Sequence, residues 1–380
     1  MLIVLRRILP LFFIFIFINV TQGQNNLKLK FKNSTVYAGI EVGSKGVKMS
    51  LIEMGRNAKK TGNIHMLKDT AVNTDFINFN KSSFNGTLNA LSGLYLTALE
   101  KYSIPSQNIF TAISSGVKVQ AEKEGKTTMI SALVDSFRIK IKEKERVVTL
   151  IGVEDEARLS HLGIVPESRR YSTFLIDIGS GNTKGGYFPS GNTSNLRLFQ
   201  LSWGTKSVAN ETNKRLEEDK TLQNYGRQLH RVLAGSAETE IVYAVNVSGA
   251  YNMSDNIAVS GGIAWAVATL IYPELAENQV IPVSFKDVEE FTELIANNPT
   301  RYSEGEIIRR ISDKSIDQNT IRNQVKQVHK VFDQRALMAG SGLLLKIMRQ
   351  FEGVKEKKQF YLVKNGAVGW ISAFVDENIE

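Results

Sequence analysis

The sequence predicts an α/β fold of two domains, each a mixed sheet flanked by helices, with a cleft between them. Three observations carry this expectation. The chain has 380 residues, and at roughly 100–200 residues per domain that is material for two cores. An eight-residue pattern occurs twice: Glu41-Val-Gly-Ser-Lys-Gly-Val-Lys48 and Asp177-Ile-Gly-Ser-Gly-Asn-Thr-Lys184 share an acid, a Gly-Ser pair and a lysine at equal spacing. This suggests an internal duplication. Each copy joins two strand-like runs and is followed by alternating strand and helix patterns. The hairpins supply antiparallel pairing and the alternation supplies parallel pairing, so both sheets are mixed.

The elements follow in order. Arg6 and Arg7 precede an apolar run from Leu9 to Val20, interrupted only by Pro10 and Asn19, and small or polar residues follow through Thr21, Gln22 and Gly23. The run falls short of the roughly 20 residues of a membrane span. Residues 1–23 therefore read as a secretory signal cleaved near Gly23, with an uncleaved anchor as the alternative. Residues 24–35 form a polar linker. Residues 36–42 (VYAGIEV) and 47–54 (VKMSLIEM) are strands joined by Gly43-Ser44-Lys45-Gly46. Leu88 to Tyr102 carries Leu88, Leu91, Tyr95, Ala98 and Leu99 at helical spacing. A short buried strand spans Ile109 to Ile113, a helix Thr128 to Ile139, a strand Val147 to Gly152 and a helix Glu154 to Leu162. The second half opens with strand 173–178 (TFLIDI), turn 179–182 (GSGN) and a strand from Gly185 to Phe188. It continues through strand 196–202, helix 207–233, a strand ending in Ser260-Gly261-Gly262 and an apolar helix from Ala264 to Ile271. Residues 285–335 are charged, helical in period, and read as a helical insertion. An apolar helix from Gly342 to Met348 and a strand from Phe360 to Val363 close the chain. The first domain runs over residues 36–158 and the second over 159–380.

Composition narrows the chemistry. At 42% hydrophobic and 22% charged, the chain is neither collagen-like, coiled-coil nor disordered. It has no cysteine, which removes disulfides, thiolate zinc sites, cysteine nucleophiles and a bacterial lipid anchor. Four scattered histidines (His65, His161, His230, His329) with no His-x-x-His pair argue against a histidine-built metal site. No G-x-S-x-G elbow supports a serine nucleophile. The net charge of +9, reduced to +7 by loss of Arg6 and Arg7, suits a polyanion or reflects a merely basic surface. Beyond residue 23, seven N-x-S/T sequons, at Asn33, Asn80, Asn85, Asn192, Asn210, Asn246 and Asn252, would accept glycans in a eukaryotic secretory protein and mean nothing in a bacterial one. An exported chain without cysteine favours the bacterial periplasm or exterior.

A strand that ends in an acid and runs into a Gly/Ser turn suits phosphate. Glycine lets the backbone approach closely, and successive N–H groups form an anion nest. The candidate phosphate ligands are Gly43, Ser44 and Lys45 in one turn and Gly179, Ser180, Gly181 and Asn182 in the other. Glu41 and Asp177, at the strand ends, are candidates for a hydrated divalent cation, Mg2+ or another. Two such hairpins facing each other would grip a polyphosphate chain from both sides. Gly261 and Gly262, between a strand and a helix, add a third close-approach turn.

These hairpins and the Gly-Gly turn resemble the actin/hexokinase/heat-shock-70 superfamily, and within it the exopolyphosphatase / guanosine pentaphosphate phosphatase family. Residues 111–118 (TAISSGVK) are similar to that family's Ala-Thr-Ser-Ala-x-Arg segment, and 151–163 (IGVEDEARLSHLG) to its Ile-Ser-Gly-x-Glu-Glu-Ala-Arg-Leu segment. LSWGTKSV from Leu201 to Val208, RALMAGSGLLLKI at 335–347 and the glycines from Gly366 to Gly369 extend the likeness in order over about residues 36–372. The resemblance implies two actin-like (ribonuclease H-like) domains with five-stranded-type mixed sheets and an active-site cleft between them. It also implies hydrolysis of a terminal phosphoanhydride by water that a glutamate activates. By position that glutamate is Glu156, with a solvated helix carboxylate as the alternative reading. Arg158 reads as a salt-bridge partner or a phosphate ligand.

Three positions depart from the family pattern. The first hairpin acid, usually aspartate, is Glu41; the arginine of the Ala-Thr-Ser segment is Lys118; and a carboxylate expected in the second hairpin is Lys184. Lys118 keeps the charge but loses the bidentate fork. Lys45, Lys48 and Lys184 either supply positive charge that a metal otherwise would, or mark a site that binds phosphate without turning it over. The leading expectation is an exported phosphoanhydride hydrolase acting, with metal assistance, on polyphosphate or a nucleotide polyphosphate. The alternatives are an inactive binder of the same fold and an ecto-apyrase-like nucleotidase, a class that usually depends on disulfides. No nucleic acid duplex and no stable membrane insertion after signal cleavage are expected, and a homodimer stays open.

Overall fold

The computed structural model describes residues 27–56, 64–189, 191–249, 254–313, 315–352, 358–364 and 369–379. Residues 1–23, expected to be a signal, Asn252 of the last sequon and Gly366 lie outside the described residues.

β1 (Thr35–Val42) and β2 (Gly46–Met54) pair antiparallel through the expected turn, which sets Glu41 opposite Lys48. Val36, Ala38, Ile40 and Val42 recur with period two and all enter one core. β3 (Ile64–Asn73) adds to the free edge of β2, β4 (Ile109–Ile113) lies parallel to β1, and β5 (Thr149–Leu150) lies parallel to β4. The order is β3-β2-β1-β4-β5. One face carries α1 (Lys81–Leu96), α2 (Ser115–Lys123) and α3 (Thr127–Ile141), through Leu91, Tyr95, Val117, Leu133 and Phe137. Asn80 starts α1 with a capping box to Ser83. α4 (Val153–Ile164) then leads out of this sheet.

The second sheet repeats the plan. β6 (Thr173–Ile178) and β7 (Thr183–Tyr187) form the hairpin that sets Asp177 opposite Lys184, and β8 (Arg197–Leu201) continues the meander. α5 (Thr205–Lys214), α6 (Leu222–Val232) and α7 (Glu238–Ser248) lead to β9 (Asn256–Ser260), parallel to β6, and α8 (Gly262–Ile271) follows. β10 (Val280–Val283) precedes α9 (Phe285–Asn297), α10 (Glu304–Arg310), α11 (Gln318–Val331) and α12 (Gln334–Glu352). β11 (Gln359–Val363) inserts between β9 and β10, and α13 (Gly369–Glu377) ends the chain. The order is β10-β11-β9-β6-β7-β8. Without β10, both sheets are a three-stranded meander whose first strand begins a parallel run of three. The repeated sequence pattern is a repeated topology, on two mixed sheets of five and six strands.

Several elements differ from expectation. Helix 207–233 divides into α5 and α6, because Glu217 takes a left-handed φ of 49° and Thr221 starts a new helix by accepting from the Asn224 N–H. Strand 147–152 shrinks to the two residues of β5. The helices at 285–335 are built into the larger core through Val288, Phe291, Ile307, Ile321 and Val325 rather than hung outside it. Residues 24–35, read as a linker, are docked from Leu27 on. Lys30 and Phe31 donate their N–H groups to the Glu53 carboxylate at 2.8 Å each, and Ser34 Oγ donates to it at 2.6 Å. Finally, α13 lies apart from the second sheet. Trp370, Ile371 and Phe374 pack on Ala112 of the first sheet and on Ile151 and Leu159. α4 lies between, with Leu159 turned to α13 and Ala157 to Phe188 and Leu196 of the second half.

Candidate active site

Each hairpin turn closes on its own backbone: Gly43 N–H donates to Gly46 O at 2.9 Å, and Gly179 N–H to Asn182 O at 3.0 Å. Thr205 and Lys206, at the start of α5, donate their N–H groups to Gly179 O and Ser180 O, which locks the second turn to a helix end. Gly261 joins β9 to α8 at φ 98°, where a side chain would collide with the Ile178 carbonyl beneath it.

The two turns meet. Gly181 faces Ser44 Oγ and Gly116 O so closely that a Cβ has no room there. Asn182 donates to Ser115 Oγ at 3.1 Å, and Gln120 donates to Gly181 O at 2.6 Å and Ser202 O at 3.0 Å. Ser44, Gly181 and Asn182 thus meet at the start of α2, with Gly43, Gly179 and Ser180 in the same two turns. Lys45 does not point at that centre. Its ammonium donates to the carbonyl of Val331, at the C-terminal end of α11, and lies 4.6 Å over the Phe332 ring. Burial pulls that ammonium below its ordinary pKa, against the carboxylate of Asp75. Gly262 sits against the same Phe332 ring. The ammonium of Lys118, half-buried on α2, forms no ion pair or hydrogen bond among the described residues.

Below the turns lie the acids. Lys184, 4% exposed, places its ammonium 2.6 Å from Glu156 Oε1 and 2.9 Å from Asp177 Oδ2. Glu156, 1% exposed in the first turn of α4, accepts the Ser115 N–H on its other oxygen at 2.5 Å. The other oxygen of Asp177 accepts from Ser260 Oγ at 3.0 Å. Burial alone would lower the Lys184 pKa, but the charges of Asp177 and Glu156 outweigh it and hold the ammonium above its ordinary value. Glu41 accepts from Trp370 Nε1 at 3.1 Å, and burial pushes its carboxyl up to about 7, with Lys48 opposing and Glu156 adding.

Sequence reasoning found the acids and the lysine but not their pairing, and it missed Ser115, Gln120 and Trp370. Ser115 lies inside the quoted TAISSGVK segment, so a signal existed; Trp370 stands 329 residues from Glu41 and gave none. Of the two readings of Arg158, the salt bridge holds: its guanidinium meets the Glu377 carboxylate at 2.7 Å on both nitrogens. Glu156 is the reverse case, a buried acid and not a solvated one.

The expected metal ligands, Glu41 and Asp177, do not fit a divalent cation here. Such an ion needs several oxygen ligands around an open position. The position between Asp177 and Glu156 holds an ammonium, Glu41 is turned to an indole, and among the described residues no three His, Asp or Glu side chains are placed to hold a metal ion.

No protein-family model and no curated protein sequence matches the chain. Solved structures do. The Ppx/GppA family member of Aquifex aeolicus is 16% identical and matches 91% of this chain and 100% of its own, with a TM-score of 0.56. The type II variant of the Aquifex aeolicus Ppx/GppA phosphatase is 14% identical over 91% and 100%, with a TM-score of 0.55. An exopolyphosphatase from Cytophaga hutchinsonii is 12% identical over 90% and 98%, with a TM-score of 0.54. Across both sheets, the chain has the fold of the Ppx/GppA phosphatases.

Proposed function

We propose that the protein is a phosphoanhydride hydrolase that takes the terminal phosphate of inorganic polyphosphate or a nucleotide polyphosphate between its two hairpin turns. One observation carries the reading: the buried array of Glu156, Lys184 and Asp177 lies directly under the convergent turns of a duplicated hairpin. Backbone N–H groups and short side chains of the turns meet the phosphate oxygens. Lys184 moves one of its contacts from Glu156 to a nonbridging oxygen, which frees Glu156 Oε1 to accept a proton from water. The water oxygen bonds to phosphorus, the bridging P–O bond breaks, and the leaving phosphate departs with the electron pair. The test is release of inorganic phosphate from polyphosphate, ATP and guanosine tetraphosphate. Glu156→Gln is expected to lower kcat by something like 10²–10⁴-fold with little change in substrate affinity.

A second reading, a binder without turnover, is favoured by the engagement of both Glu156 oxygens. Tight binding of polyphosphate with no release under any condition selects it. The N-terminal signal makes export part of the proposal and favours extracellular polyphosphate or nucleotides over an intracellular alarmone. Mass spectrometry of the protein from its native host is expected to find an N-terminus near Gln24, and an intact Met1 in a soluble cytoplasmic fraction would refute export.

A further inference from the structure

We infer that Lys184 is the resident cation of this site, occupying by covalent attachment the place that a divalent ion would need, so that the protein handles phosphate without magnesium. The inference rests on the proposed function for its substrate and on geometry for the rest. All four carboxylate oxygens of Glu156 and Asp177 have partners: Lys184 takes one from each, the Ser115 N–H and the Ser260 hydroxyl take the others. Lys184 is the antiparallel cross-strand neighbour of Asp177, so the hairpin register itself delivers the ammonium to the acids. The same register sets Lys48 opposite Glu41 in the first hairpin. Each half therefore carries its own lysine against its own acid. An ion entering between Glu156 and Asp177 has to displace a charge that cannot diffuse away, whereas a phosphate entering above them meets a cation already in place.

The inference predicts opposite metal behaviour for wild type and Lys184→Gln. Manganese, followed by electron paramagnetic resonance, is expected to find no stoichiometric site in the wild-type protein and one site in Lys184→Gln, where two facing carboxylates lose their counterion. Melting temperature gives a second readout: Mn2+ is expected to leave the wild type unmoved and to raise the variant by several degrees, including from a poorly folded start. A stoichiometric Mn2+ site in the wild type overturns the inference, as does a folded Lys184→Gln that binds none. If the variant stays unfolded even with Mn2+, the wild-type titration decides alone. Phosphate release separates this inference from the proposed function. Release that persists in excess EDTA supports both. Release abolished by EDTA and restored by Mg2+ overturns the resident cation and leaves the hydrolase. No release in either condition overturns the hydrolase, and the Mn2+ titration still decides the role of Lys184.

Discussion

His161 lies five residues beyond Glu156 on the same helix, fully buried, with Nε2 at 3.0 Å from the Thr173 carbonyl oxygen and its ring against Phe188. Burial lowers its pKa to about 4, the Thr173 bond opposing and Arg170 adding to the effect. The folded state therefore prefers the neutral ring, while the unfolded chain takes a proton near the ordinary 6.5. The sign follows: this contribution to stability is complete above pH 6.5 and is lost as pH falls toward 4. Between pH 7.5 and 5 the loss from this one side chain is about 2 kcal/mol. Urea unfolding at the two pH values is expected to show that decrement in the wild type and not in His161→Gln, whose amide still reaches Thr173. An equal acid sensitivity in both proteins would refute the assignment.

At the scale of elements, the legible parts were those with a local signature. The hairpins could be read because acid, Gly-Ser and lysine sit within eight residues, and the period-two and helical runs around them are strong. β3 was missed because it is a surface strand, with Lys68 and Asp69 interrupting its alternation, and β10 because it has only four residues, one of them proline. α13 was missed for another reason. Its apolar face matches the back of the first sheet, 200 residues and more away in sequence, and no local pattern encodes that destination. The crossing of α13 with α4 depends on Gly163, where a Cβ would run into the Gly369 backbone carbonyl. Gly163→Ala gains up to about 1 kcal/mol of helix propensity. Against that stands overpacking of backbone on backbone, typically 1–3 kcal/mol or more. The clash wins because neither partner is a flexible side chain, so the urea midpoint is expected to fall and hydrogen exchange in α13 to accelerate.

For the whole molecule, α4 joins the halves through apolar packing, whereas the contacts beside the turns are polar, which suits turns that part to admit a charged chain. Gln120 bonds two carbonyls of the second half, Lys206 meets Asp75 at 3.0 Å, and Lys45 caps α11 from the opposite sheet. Gln120→Met keeps the volume and removes both donors, leaving two carbonyls that cost about 1–3 kcal/mol each unless water reaches them. The expected response is opening: faster hydrogen exchange at residues 179–184 and 115–118 with little change in α9 or α12. Uniform acceleration across both halves would instead indicate a general loss of stability. The site was half legible for the same reason. The repeated pattern named Glu41, Asp177 and Lys184 and the family resemblance named Glu156, but the pairing of Glu156 with Lys184 exists only once the second hairpin is folded against α4.

The docking of Lys30, Phe31 and Ser34 on Glu53 fixes the place of that segment. It stands at the beginning of β1, and the hairpin turn stands at its end, so the eight residues of that strand set the two about 26 Å apart. Lys30, Phe31 and Ser34 are thus anchored at the pole remote from the turns. A surface or bulky fusion attached there stands behind the protein, and a long flexible polyanion reaches the turns from open solvent.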